Sequence, residues 1–220
     1  ETATAPPAQP TLKQSRSAHQ VPKPPTIPSM PTEETSPLNL ARHCLQRWAE
    51  NPTTASNPAF TFVDPDTEDR TWTYEQTWTH IQSIGRGLLD HGLHPGDRLL
   101  IRLPHSPEYA FAFFGATVAG LLPIPASPQL PEEEIPFLLE DSQATALVRG
   151  PDGQIPGFDG IEILEHELDT LDGSATLPET TAEDPAFLIY TSGTTSHPKG
   201  VLHAHRTVRG RELMQQGWQG

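Results

Sequence analysis

A hydroxyl-rich loop near the end of the sequence carries the residue types best suited to chemistry. It lies between two strand-like segments, AFLIY and VLH, and its sequence is TSGTTSHPKG. Glycines let backbone amides approach a ligand, hydroxyls donate hydrogen bonds, and the lysine adds a mobile cation. These groups suit a nucleoside triphosphate, and the residues leave an ordinary polar hairpin loop open as the alternative. The candidate binding residues are Thr191, Ser192, Gly193, Thr194, Thr195, Ser196, Lys199 and Gly200.

The charge distribution around this loop favours a polyanion as its ligand. The sequence has 28 acidic and 14 basic residues, yet the 27 residues from Pro185 to Arg211 contain no Asp or Glu. A carboxylate close to bound phosphates would repel them, whereas nearby cations attract them. The basic residues of this stretch are Lys199, Arg206, Arg209 and Arg211.

Two other motifs overlap the same region. Ser196 to Lys199 (SHPK) also spells the serine-nucleophile motif S-x-x-K, but that motif needs a helix, which Pro198 opposes. His203 and His205 form an H-x-H pair, yet no further ligand set can be named, and a metal site needs at least three ligands. We therefore interpret the histidines as structural and predict no metal site.

Motifs of other nucleotide-binding classes are absent. Gly85-x-Gly87 lacks the third glycine of a dinucleotide fingerprint and lies inside a helical pattern. No G-x-x-x-x-G-K-[ST] sequence occurs, which excludes the usual P-loop. Cys44 is interpreted as a small buried residue, because no base can be identified that would activate its thiol.

Helix and strand signals alternate along the chain. Thr73 and Gln76 match a capping box that opens an amphipathic helix, and Ser106 followed by proline opens an apolar one. The runs LLIRL, LLPIPA and ATALV predict strands, and a short helix is expected over residues 135–141. Two further strands are expected at AFTFVD and RTWTY. This alternation predicts an α/β fold with a mixed or parallel sheet and packed helices.

Two stretches are predicted to lie outside this core. Residues 1–36 are rich in proline and poor in large apolar side chains, so we predict a disordered tail followed by a folded body at 37–220. Residues 129–184 hold fifteen acidic residues and one basic residue, Arg149, with many turn formers. We interpret most of this acid-dense stretch as a solvated connecting surface.

Composition excludes several functions and locations. A net charge of −14 disfavours nucleic acid and anionic membranes. The longest apolar run, Ala110 to Leu122, has 13 residues, whereas a spanning helix needs roughly 20, so no membrane span is predicted. The single Cys44 cannot form an internal disulfide, and we expect a cytoplasmic protein.

The loop resembles the signature Y-T-S-G-[ST]-T-G-x-P-K-G of the adenylate-forming (AMP-binding) superfamily. The matching sequence is YTSGTTSHPKGV, and RTWTYEQTW resembles the T-[YW]-x-E-L helix start of that superfamily. GLHPGDRLLIRLPHSPEYAFAFFGATVAGLLPIPASPQL and LLEDSQATALV continue the similarity in the same order. The resemblance covers residues 38–220 and is strongest to acyl- and aryl-CoA ligases of the benzoate-CoA ligase kind.

The resemblance implies a fold, an activity and a set of ligands. The fold would be the N-terminal portion of the large domain, without the C-terminal lid. The ligase activity would be ATP-dependent conversion of a carboxylic acid to an acyl-adenylate, with Mg²⁺, followed by thioester formation with coenzyme A. The loop would hold the phosphates, while the catalytic lysine would lie in the absent lid. No catalytic residue is therefore predicted within this chain, which alone is expected to be inactive.

Two alternative functions stay open. A non-catalytic nucleotide-binding module would need the loop but not the C-terminal lid with its catalytic lysine. An adenylation domain of a peptide synthetase would transfer the acyl group to a carrier protein rather than to coenzyme A.

One departure from the signature is Ser196, which stands where the superfamily usually has glycine. A positive φ at that position would strain serine by about 1 kcal/mol.

Overall fold

The structure is a computed structural model, and it describes residues 36–64, 68–152, 155–191 and 198–219. A π-helical turn at Arg42–Gln46 precedes the first helix, and short 3₁₀ turns occur at Glu132–Glu134 and Glu165–Thr170. The helices and strands, in chain order, are α1 (Arg47–Ala49), β1 (Pro58–Phe62), β2 (Arg70–Thr73), α2 (Tyr74–Asp90), β3 (Arg98–Arg102), α3 (Pro107–Val118), β4 (Leu122–Pro125), α4 (Ile135–Ser142), β5 (Ala146–Arg149), β6 (Ile161–Leu164), β7 (Pro185–Thr191), β8 (Lys199–Ala204) and α5 (Thr207–Gln219).

Four parallel strands form the central sheet, in the order β4-β3-β5-β6. Its strands read as almost continuous apolar runs because both faces are covered. Leu99 and Ile101 point towards α2 and α3, whereas Leu100, between them, packs on the opposite face with α4. All three side chains are fully buried. The predicted α/β class and the three sheet strands LLIRL, LLPIPA and ATALV are confirmed.

The two long helices begin where the sequence predicts. The Thr73 side chain accepts from the backbone amide of Gln76 at 3.2 Å, and the Gln76 side chain accepts from the amide of Thr73 at 2.9 Å. This is the complete capping box of α2. The Ser106 hydroxyl caps α3 by accepting from the amide of Tyr109 at 3.3 Å.

Helices α2 and α3 cross at glycines, which allows close backbone approach. A Cβ built on Gly85 would lie 2.8 Å from the carbonyl oxygen of Gly115. A Cβ on Gly115 would lie 2.6 Å from Cγ2 of Ile84. The absence of a side chain at Gly85 therefore serves helix packing, in agreement with the rejection of a dinucleotide fingerprint.

On the other face, α4 is fixed at its C-terminal end. Its Ile135 and Leu138 pack against the sheet, and Pro136 sits in the first turn, as the sequence requires. Arg98 on β3 donates from Nε to the carbonyl of Ser142 at 2.9 Å and from its terminal nitrogen to that of Gln143. These bonds satisfy carbonyls that the end of the helix leaves free.

The acid-dense stretch contributes more to the core than the sequence interpretation allowed. Strand β6 pairs with β5 as the fourth sheet strand, and Ile163 is 2% exposed. Leu168 is fully buried in the main core. Arg149, itself 7% exposed, donates from Nε to the carboxylate of Glu162 at 2.6 Å. The expectation of a mostly solvated connecting surface is wrong for residues 161–171.

The first described residues are tied to a distant part of the chain. The amide of Leu38 donates to the carbonyl of Thr180 at 2.9 Å, and the hydroxyl of Thr180 donates to the carbonyl of Leu38. Buried Asn39 donates to the carbonyl of Thr117 at 2.9 Å. Ser36 is also paired, since its carbonyl accepts from the amide of Ala182 at 3.1 Å. The rest of the predicted tail lies outside the described residues, so the tail and its boundary stay predictions.

Apolar side chains are exposed on β8 and α5. Leu202 is 56% exposed on the strand, and Met214 and Trp218 are 65% and 89% exposed on the helix. No helix among the described residues is long and apolar enough to cross a membrane.

Candidate functional site

The predicted phosphate-binding loop connects two antiparallel strands. β7 and β8 form a hairpin in which Thr191 and Lys199 are directly opposite each other. The Thr191 hydroxyl donates to the carbonyl of Lys199 at 3.5 Å. Both residues are exposed. The strands therefore fix the two ends of the loop next to each other and present them to solvent.

The structure describes three of the eight predicted binding residues. Thr191, Lys199 and Gly200 lie on the hairpin. The predictions for the remaining five fall outside the described residues: Ser192, Gly193, Thr194, Thr195 and Ser196.

Gly200 also has a structural reason that the sequence did not suggest. It lies within β8 and is not among the described glycines of positive φ, so it does not supply an unusual backbone dihedral. A Cβ at this position would lie 3.2 Å from Cδ1 of Leu188 and 3.3 Å from Cζ of Tyr190. Glycine thus gives the ring of its cross-strand neighbour Tyr190 room to lie over β8.

Tyr190 connects the loop end of the hairpin to α4. Its hydroxyl donates to Oδ2 of Asp141 at 2.6 Å. Burial raises the pKa of the Tyr190 phenol most, and the hydrogen bond to the Asp141 carboxylate raises this pKa further. The phenol therefore stays protonated and remains a donor across the physiological range. Sequence reasoning missed this contact, because 49 residues separate the partners and no local pattern joins them.

The cations of the acid-free stretch do not converge on the loop. Lys199 begins β8 at the loop end, whereas Arg206 follows the strand at its other end, roughly 20 Å away at about 3.3 Å per residue. Arg206 is also paired with Glu183 at 2.7 Å, and Arg209 and Arg211 lie on α5. The acid-free stretch therefore does not bring all its cations to the loop, because Lys199 lies at the loop end of β8 and Arg206 lies beyond its other end.

The two histidines after the loop have structural surroundings. The ring of His203 stacks on Phe187, with centroids 4.5 Å apart. His205 is fully buried, and its Nδ1 accepts from the amide of Leu40 at 3.0 Å. Burial lowers the pKa of His205 to about 4, with nearby Asp184 opposing the shift. In the described part of the chain, no group of three or more His, Cys, Asp or Glu side chains is arranged to hold a metal ion.

The serine-nucleophile alternative conflicts with the local backbone. Lys199 is the first residue of a β-strand. The S-x-x-K motif requires serine and lysine on one turn of a helix, whereas here the lysine lies in a strand.

A family comparison agrees with the fold and the loop. The AMP-binding enzyme family model matches residues 45–218. The chain belongs to the AMP-binding enzyme family, and thus to the adenylate-forming superfamily, as the signature loop indicated.

Individual relatives include both free-standing ligases and peptide synthetases. The long-chain-fatty-acid–CoA ligase FadD13 of Mycobacterium tuberculosis is 30% identical over 162 residues, which cover 67% of this chain and 32% of the relative. Surfactin synthase subunit 2 of Bacillus subtilis is 31% identical over 194 residues, covering 81% of this chain and 5% of that protein. The chain therefore spans a third or less of the length of these relatives.

Solved structures show the same fold. The fatty acid AMP ligase from Legionella pneumophila has a TM-score of 0.68 and 26% identity, covering 79% of this chain and 31% of that one. The N-terminal subdomain of Klebsiella oxytoca NpsA gives a TM-score of 0.67 at 24% identity, with 77% and 43% coverage. The latter likeness concerns the fold alone.

Proposed function

We propose that this chain supplies the phosphate-binding part of an enzyme that activates a carboxylic acid with ATP. In the reaction, a carboxylate oxygen attacks the α-phosphorus of ATP, the bond to the bridging oxygen breaks, and pyrophosphate leaves. The observation that carries the proposal is the signature loop of the family on a hairpin that sets Thr191 opposite Lys199.

The described residues fit a triphosphate. Lys199 is exposed at the loop end of β8, so its ammonium group is accessible to an anion. The exposed Thr191 hydroxyl makes a long hydrogen bond of 3.5 Å to the carbonyl of Lys199, and it can exchange this acceptor for a phosphate oxygen. Bound ATP would supply the activated phosphorus and the leaving group. Lys199, Gly200 and residues 191–196 would hold the β- and γ-phosphates with Mg²⁺ and so stabilise the departing pyrophosphate.

For the second half-reaction, we propose transfer of the acyl group to the thiol of coenzyme A. FadD13, which is named as a CoA ligase, supports this acceptor. The similarity to surfactin synthase subunit 2, which covers more of this chain, favours the alternative of an adenylation domain that serves a carrier protein. A non-catalytic nucleotide-binding module is the third candidate. We further propose a cytoplasmic location.

The test is ATP–pyrophosphate exchange by the full-length protein over a panel of acetate, fatty and aromatic acids. Lys199→Ala is expected to weaken exchange roughly tenfold to hundredfold, because one lost charged phosphate contact is worth about 1.5–3 kcal/mol. A Thr194→Ala/Thr195→Ala double variant is expected to lose more. Removal of Mg²⁺ with a chelator should abolish exchange.

Arg211→Ala is the matched control, because it removes an exposed cation of the same acid-free stretch from α5 rather than from the loop. Exchange in this variant should equal that of the parent protein. Unchanged exchange in folded Lys199→Ala would contradict the assignment of the loop.

A further inference from the structure

The hairpin is attached to the parallel-sheet body close to the loop. Tyr190 immediately precedes Thr191, where the loop begins, and its hydroxyl bonds to Asp141 at the end of α4. Leu188 and Tyr190 also pack against the apolar cluster that includes Leu138. The hairpin therefore contacts the body of the molecule through Leu188 and Tyr190 of β7, whereas Leu202 on β8 is exposed to solvent.

Asp141 is itself on a fixed support. The next residue, Ser142, is 8% exposed, and its carbonyl accepts the hydrogen bond from Arg98 on β3. Arg98 also binds the carbonyl of Gln143, which ends the helix in the left-handed conformation at φ 53°. The carboxylate of Asp141 is thus anchored through α4 to the central sheet.

The ring of Tyr190 spans the distance from this support to β8. Gly200, its cross-strand neighbour, leaves just enough space, since a Cβ there would be 3.3 Å from Cζ of the ring. The ring is therefore confined between α4 and β8, and the strong hydrogen bond to a carboxylate fixes its direction. This arrangement positions both loop ends, Thr191 on one strand and Lys199 beside Gly200 on the other.

We propose that Asp141 and Tyr190 are a pair of positioning residues for ATP, which hold the loop end of the β7–β8 hairpin in place against α4 and the central sheet. The inference rests on the proposed function and adds two residues to it. Neither side chain contacts the phosphates. Loss of the pair lets the loop ends shift, and displacements of about 1 Å reduce the rate of an oriented reaction about a hundredfold at the extreme.

The experiment measures KM for ATP, KM for the acid and kcat in ATP–pyrophosphate exchange by the full-length protein. Tyr190→Phe and Asp141→Ala are each expected to raise KM for ATP roughly tenfold, the value of one charge-assisted hydrogen bond. KM for the acid should stay within twofold. The double variant should be no worse than either single variant, because both remove the same contact.

Asp141→Asn provides the conservative rescue. Its amide oxygen still accepts from the Tyr190 hydroxyl, so KM for ATP should stay within about threefold of the parent value. Ser83→Ala is the matched control, since it removes another exposed, long-range hydrogen bond, from Ser83 to Asp172 at 2.9 Å, and should change neither KM. Circular dichroism checks that each variant is folded, and exposed Asp141 tolerates substitution better than the half-buried tyrosine.

The outcomes separate this inference from the proposed function. Additive effects in the double variant, or equal increases in both KM values, would overturn the positioning role. If Lys199→Ala loses exchange while Tyr190→Phe and Asp141→Ala keep parent values, the loop assignment stands and the positioning pair is wrong. A parent protein without ATP-dependent exchange would overturn both proposals.

Discussion

His205 shows how one buried side chain links three parts of the fold. Its Nδ1 accepts from the amide of Leu40, so the neutral ring carries its proton on Nε2. That nitrogen is buried and has no hydrogen-bond partner in the described part of the chain. The backbone amide of His205 donates to the carbonyl of Asp184. The histidine that resembled a metal ligand in sequence thus joins the first described segment to both strands of the hairpin.

We predict that this histidine makes the protein less stable in mild acid. The pKa of His205 is lowered to about 4 in the fold, against about 6.5 in the unfolded chain. The unfolded chain therefore binds more protons than the folded chain between these pH values. The stability that the neutral His205 ring contributes is fully present above pH 6.5 and is lost as the pH falls towards 4. The loss between pH 7 and pH 5 should be about 2 kcal/mol.

Urea unfolding at pH 7 and pH 5 tests this expectation. Between pH 7 and pH 5, the free energy of unfolding of His205→Gln should fall by about 2 kcal/mol less than that of the parent protein. Ile81→Val is the control, because it removes a fully buried methyl group and no titratable group, and it should retain the parental pH dependence. Equal pH dependence in the parent protein and His205→Gln would show that the buried ring does not titrate as expected.

At the scale of elements, the crossing of α2 and α3 depends on a missing side chain. We predict that Gly115→Ala destabilises the protein by about 1–3 kcal/mol, the usual cost of overpacking a core. The new methyl group would meet Ile84, whose side chain is fully buried and, being β-branched, has few alternative rotamers. Alanine's better helix propensity, worth about 1 kcal/mol, offsets part of this cost.

Gly210→Ala separates these two effects. Gly210 also lies in a helix, but a Cβ there would meet nothing within 4 Å. This variant should be slightly more stable, by up to about 1 kcal/mol. Urea midpoints of the two variants should therefore move in opposite directions, and a stabilised Gly115→Ala would disprove tight packing at the crossing.

Elements were predictable where the signal was local. The capping box at Thr73 and the Ser106-Pro107 start each lie within four residues, and both helices begin there. Strand β6 was missed although β4 and β5, which are equally short, were predicted, because β6 follows its partner β5 across a turn-rich connection. Its Ile161 and Ile163 alternate with Glu162, a pattern that the surrounding acidic residues obscured.

In the candidate site, too, the sequence predicted the local features and missed the long-range contact. The loop was found because its residues are consecutive in sequence, and in the hairpin Thr191 and Lys199 lie opposite each other. The bond from Tyr190 to Asp141 depends on how α4 packs, which no sequence pattern near either residue specifies. Lys199 and Arg206 are close in sequence but lie at opposite ends of an extended strand, so the positive charge of the stretch is not all at the loop.

At the scale of the whole molecule, we predict that the 220-residue chain alone forms no acyl-adenylate. It spans 32% of FadD13 and 31% of the Legionella ligase structure, so a clamp for the phosphates would be present without the rest of such an enzyme. Orientation of both reactants contributes several kcal/mol to such reactions, and the chain supplies only part of it. Exposed Leu202, Met214 and Trp218 should also promote aggregation.

Pyrophosphate release by the purified chain, compared with a longer protein that contains it, measures this directly over the same panel of acids. We expect no turnover above background, while weak Mg²⁺-dependent binding of triphosphates is retained. Turnover comparable to that of the longer protein would mean that the catalytic groups lie within residues 1–220.

The contacts of the first described segment also set an order for folding during synthesis. Leu40 is synthesised before its partner His205, which follows 165 residues later. At about 5–20 residues per second, that interval is roughly ten to thirty seconds. Leu38 and Asn39 wait for Thr180 over the first part of this interval, and Leu40 waits for His205 to its end. These backbone contacts therefore form only after the downstream partners have been made, so this segment docks late in synthesis.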